Sequence, residues 1–86
     1  MLVALRDAVD NGERAGEIKS NRADDFRSRI GDISRLFNEG RTGDVIGEAQ
    51  DLKRRIADRQ RDGDVSNSAA QNLFSLLDQL IAAVRL

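Results

Sequence analysis

A chain of 86 residues is bounded to one small domain, short enough that folding buries only about 60–65% of the surface its unfolded form exposes. Apolar residues make up 40% and charged residues 34%, with no proline and no cysteine, which excludes a disulfide scaffold and a thiolate metal site and points to a helical, well-solvated chain. With 14 basic against 15 acidic residues the net charge is −1, so no global field draws the molecule towards nucleic acid or an anionic membrane.

In chain order, Leu2, Leu5 and Val9 fall at i, i+3 and i+7. They predict a first helix of about three turns that meets Asn11-Gly12 and is exhausted by Gly16. Beyond Ile18, the residues Ala23, Phe26, Ile30, Ile33 and Phe37 recur every three or four positions, with Leu36 beside them. The residues between them are mostly Arg, Asp and Ser, so the second helix is strongly amphipathic and ends at Asn38-Glu39-Gly40. Thr42 is the expected N-cap of a third helix, with Asp44 placed against the positive end of the helix dipole. Val45, Ala49, Leu52 and Ile56 form its buried stripe, and the pattern stops at Asp62-Gly63. Ser66 then caps a fourth helix whose stripe is Ala69, Leu73, Leu76, Leu77, Leu80 and Val84. No strand signal appears. The apolar run from Leu80 to Val84 is far short of the roughly 20 residues that span a bilayer, and Met1 to Leu5 is too short for a signal sequence. Membrane insertion by this segment is therefore not expected.

Two stretches say nearly the same thing. AGEIKSNRADDF, from Ala15 to Phe26, returns 47 positions later as DGDVSNSAAQNL, from Asp62 to Leu73. The same offset puts Leu5 on Leu52, Val9 on Ile56, Gly16-Glu17-Ile18 on Gly63-Asp64-Val65, Phe26 on Leu73, Ile30 on Leu77 and Ile33 on Leu80. The physical reading is a helical hairpin used twice, about residues 2–38 and 45–85, with Ile18 or Val65 plugging the corner between helices. Neither hairpin can bury its apolar face alone. The expected fold is therefore all-α: a small antiparallel bundle of four helices built from two pseudo-repeats. At the second position of the repeat's cap, Lys19 stands where Ser66 does, so Ser20 is expected to cap the second helix one residue later.

Little in the chain suggests chemistry. It has no His, Cys or Tyr, leaving carboxylates alone for proton transfer or nucleophilic attack. Asp24-Asp25 and Asp62 with Asp64 sit where helices begin or end, where capping and solvation explain them. A di-iron bundle site would need Glu-x-x-His pairs, and DGDVSNSAAQNL lacks the acid at its twelfth position that a calcium loop requires. No catalytic, cofactor-binding or metal site is expected, apart from a weak ion at Asp62, Asp64 and Ser66 as the one alternative.

Two surface features remain. Lys53, Arg54, Arg55, Arg59 and Arg61 clothe the end of the third helix and suit phosphates or an anionic cell-wall polymer. Interleaved Asp51, Asp58, Asp62 and Asp64 and the lack of an aromatic stacking platform argue instead for a salt-bridged, solvated face. On the fourth helix, Phe74 and Ile81 lie seven apart and beside the main stripe. They read either as the extra apolar width of a central helix or as a contact surface for a second copy, giving a homodimer, or for a protein partner. The candidate interaction surface is accordingly Phe74, Ile81, Arg54, Arg55, Arg59 and Arg61.

The run of a short helix, G-[ED]-[IV], a long helix, the turn at Glu39-Gly40, a third helix, then D-G-D-V-S from Asp62 to Ser66 opening a last helix resembles the FIMAH-type helical domain. It is also similar to the extracytoplasmic segment of transmembrane serine/threonine kinases from high-GC Gram-positive bacteria. The resemblance covers essentially the whole chain, rests on turn glycines and apolar spacing, and carries no catalytic residue across. It implies a non-enzymatic interaction, sensor or spacer module outside the membrane, excised from a larger surface or secreted protein, with Met1 not the native start. The alternative expectation, from the residues alone, is an intracellular nucleic-acid or regulatory-protein binder that uses the basic face of the third helix.

Overall fold

The computed structural model describes residues 2–85. Four helices account for nearly all of them: α1 (Leu2–Arg14), α2 (Ser20–Asn38), α3 (Thr42–Arg61) and α4 (Asn67–Val84). They form a closed antiparallel ring in which α1 packs on α2, α2 on α3, α3 on α4 and α4 back on α1. The body measures 34 × 17 × 16 Å, a short rod. Its core is entirely aliphatic apart from Phe26, and no polar or charged residue among those described is buried. The all-α four-helix fold read from the apolar spacing is the fold observed.

The turns are built alike. After α1, the Gly16 N–H bonds the Glu13 carbonyl at 3.1 Å and the Glu17 N–H bonds the Gly12 carbonyl at 2.8 Å. After α3, Gly63 N–H to Gln60 (3.1 Å) and Asp64 N–H to Arg59 (2.9 Å) repeat the arrangement. Gly16 and Gly63 sit at φ +75° and +83°, the left-handed conformation that lets these bonds close a helix without a Cβ penalty. The α2–α3 turn at Gly40 uses the same pair of bonds. There the Arg41 N–H reaches the Leu36 carbonyl at 3.0 Å, so one residue both closes α2 and stands at the N-cap of α3.

Two expected caps are overturned, one by the tight Gly40 turn and one because the Gly16 turn sets Lys19 at the N-cap as the Gly63 turn sets Ser66. Thr42 is already the first residue of α3, the N-cap position belongs to Arg41, and no side chain caps the helix; an ion pair from Arg41 to Asp44 stands there instead. Ser20 likewise is the first residue of α2 rather than its cap. Lys19 occupies the N-cap with extended backbone and no side-chain bond. Ser66 does cap α4, its hydroxyl accepting from the Ala69 N–H at 3.1 Å.

A second correction concerns the end of α2. Phe37, expected in the buried stripe, is 49% exposed, whereas Leu36 is in the core. The cause is helix length: α1 has 13 residues against 19 in α2, about 20 Å against about 28 Å, so α1 does not run alongside the last turn of α2.

Candidate interaction surfaces

The two short turns meet at one end of the rod. Ile18 and Val65 face each other as an isolated antiparallel bridge, with the Lys19 N–H on the Asp64 carbonyl at 3.0 Å and the Ser66 N–H on the Glu17 carbonyl at 2.8 Å. The register of 47 exchanges these two bonds, since Lys19 corresponds to Ser66 and Glu17 to Asp64. The repeated words in the sequence are thus the two halves of one self-complementary clasp. Ile18 and Val65 are buried at the corners of their hairpins, as expected, and in addition their backbones pair with each other across hairpins. Single-sequence patterning gives no signal for this pairing, because one residue from each turn is too short a run to read as a strand.

Side chains repeat the exchange. Ser66 Oγ donates to Glu17 Oε1 at 3.0 Å, and in the symmetric place Lys19 Nζ meets Asp64 Oδ1 at 3.0 Å while Arg22 Nε donates to Asp64 Oδ2 at 2.8 Å. The Asp64 side chain is only 11% exposed, and the hydrogen bonds from Arg22 and then Lys19 hold its carboxyl below the ordinary carboxylate range. Asp62 turns away to Arg59 at 2.9 Å. Asp62, Asp64 and Ser66 therefore spend their oxygens on other partners and do not converge on an ion; no group of three potential ligands forms among the described residues. Nearer the middle of the rod, Arg27 ties α1 to α2 through Asp10 (2.8 Å) and Glu13 (3.0 Å) and also bonds Asp24 (2.6 Å). The bonds to Asp24, Glu13 and Asp10 raise its pKa further above the ordinary arginine value.

The basic face of α3 is divided into pairs. Arg54 pairs with Asp51, Arg61 with Asp58, Arg59 with Asp62, and Lys53 crosses to Asp78 of α4. Of the four candidate arginines, Arg55 alone has no acidic partner among the described residues; it is exposed. A groove between α2 and α3 brings Arg29 beside Arg54, Arg55 and Arg59, with Asp51 and Asp58 interleaved. Arg29 could not be grouped with the others from the sequence because it stands on a different helix.

The expected apolar stripe on α4 divides. Ile81 is 7% exposed and belongs to the core, so it offers no surface in the folded molecule. Phe74 is half-buried against the core and borders an open face with Gln71, Ser75, Asp78, Gln79 and Ala82. Among the described residues, the large apolar side chains that do stand in solvent are Val3, 74% exposed, and Phe37, and neither was singled out as surface. Beside Val3, a shallow groove of about 160 Å³ runs between α1 and α2, lined by Leu2, Arg6, Asp7, Ile30 and Ser34. No helix among the described residues is long and apolar enough to cross a membrane.

No curated protein and no solved structure matches the chain. A family model described as the FIMAH domain matches residues 2–82. That span takes in both hairpins and all three glycine turns, and the chain belongs to the FIMAH domain family.

Proposed function

We propose that this domain is a non-catalytic module of a larger surface or membrane protein, held outside the cytoplasm, where it acts as an interaction, sensor or spacer element. The observation that carries the reading is the clasp. It ties the two hairpins together at one end of a 34 Å rod, which supports a body that presents a fixed surface. The resemblance noted in the sequence suggests a transmembrane serine/threonine kinase as one such larger protein. In that setting, binding of a protein partner, a cell-wall polymer or a second copy would change the spacing of the attached domains. The pairing of Arg54, Arg59 and Arg61 with aspartates favours this reading over phosphate binding, which needs uncompensated positive charge.

Accessibility in the native setting tests the proposal. An epitope inserted at the exposed Glu39-Gly40 turn of the full-length protein, expressed in its own host, is expected to be destroyed by protease added to intact cells. Protection until the cells are lysed would place the domain inside and remove the reading.

A further inference from the structure

The register of 47 also shows where the two hairpins differ. Met1 aligns with Glu48, so the six residues Thr42–Gly47 that open α3 have no counterpart in α1. In the second hairpin that stretch supplies Val45, fully buried, and borders Leu36 of α2 through Gly43 and Gly47. With it in place, Leu36 is buried and Val84 of α4 is half-buried. The same two positions one repeat away are Ala83 and Phe37, and both are exposed. Phe37 lies on α2 and Ala83 on α4, the two helices that pack on α1, so by the register each stands where a longer α1 would pass.

We infer that in the larger protein α1 continues N-terminally by about two turns along that path, packing on Phe37 and Ala83 as the opening of α3 packs beside Val84 and Leu36. This rests on the reading of the domain as one module of a larger protein. Continuation is favoured over docking of a separate chain for a physical reason. α1 is already nucleated, so each added residue gains a hydrogen bond at propagation cost only, and the unpaired N–H groups of its first turn gain partners. α1 also carries no acidic residue in its first turn, and Met1-Leu2-Val3-Ala4 offers no side-chain oxygen to cap it. The register fixes the chemistry of the occupant: the third residue upstream of Met1, the counterpart of Val45, is apolar.

The test compares this chain with a longer one that includes the stretch encoded immediately upstream of Met1 in its own gene. The longer chain is expected to carry an apolar residue at that third position, to show more helix by circular dichroism, and to melt higher by about 5 °C or more. Phe37→Asp should remove most of that gain and leave the shorter chain nearly unchanged, and Phe37→Ser should act in the same direction. A proline or a charge at the third position, or an unchanged Tm, overturns the inference while the modular reading stands. A reading frame that opens at Met1 overturns both. Concentration-dependent dimerisation of the shorter chain in sedimentation, abolished by Phe37→Asp, would make a second copy the occupant and overturn the inference as well.

Discussion

Gly12 shows how one methyl group can shape this molecule. A Cβ built there would lie 2.5 Å from Ile18 Cδ1, and Ile18 is 2% exposed, with little room to retreat. In the second repeat the corresponding pair is Arg59 and Val65, and valine has no Cδ1 to collide with a β-carbon. The glycine and the isoleucine therefore belong together. Gly12→Ala alone is expected to cost about 1–3 kcal/mol in urea denaturation. Adding Ile18→Val to Gly12→Ala should recover part of that loss, even though Ile18→Val alone costs about 0.5–1.5 kcal/mol. Losses that simply add would show that the two side chains do not compete. At the other side of the clasp, Asp64 has a lowered pKa in the fold. Its contribution to stability is present above the unfolded carboxylate pKa of about 3.9 and is lost as pH falls through the lower folded value. Between those two points the Tm of the native chain should drop more steeply than that of Asp64→Asn; parallel curves would show that the contacts to Lys19 and Arg22 are not selective for the ionised carboxylate.

At the scale of helices, apolar spacing made four elements and most of the core readable, because a period of 3.6 is a local property of the chain. What it misplaced depends on neighbours. Phe37 continues the stripe of Phe26, Ile30 and Ile33, and nothing local records that the facing helix is shorter. Thr42 has the right chemistry for a cap but lies one residue too late, because the Gly40 turn leaves no room for a separate N-cap. Ile81 fell beside the single stripe used to define inside, whereas α4 packs on both α1 and α3 and needs a wider apolar face. Its burial makes a prediction. Ile81→Ala should cost about 2–4 kcal/mol, as a core truncation does. Phe74→Ala should cost clearly less, near 1–2 kcal/mol by the area it keeps from water. Equal losses would mean that Phe74 is as deeply seated as Ile81.

For the whole molecule, the repeat was legible but its purpose was not. An offset of 47 identifies two similar hairpins, yet the bridge that ties their turns together rests on a pair of backbone bonds whose partners, Lys19 with Asp64 and Ser66 with Glu17, are far apart in sequence. Such bonds carry no side-chain code. The same holds for the candidate surface, where Arg29 joins the arginines of α3 only through the packing of α2 on α3. If the clasp makes the two hairpins one rigid body, as a module that presents a fixed surface requires, neither half should open alone. Native-state hydrogen exchange of the Lys19 and Ser66 amides measures this directly. Both should exchange only through global unfolding, with the same free energy as core amides such as those of Leu52 and Leu77. Exchange of the two clasp amides at a much lower free energy, while the helices remain protected, would show that the ends part freely and that the rod is not one body.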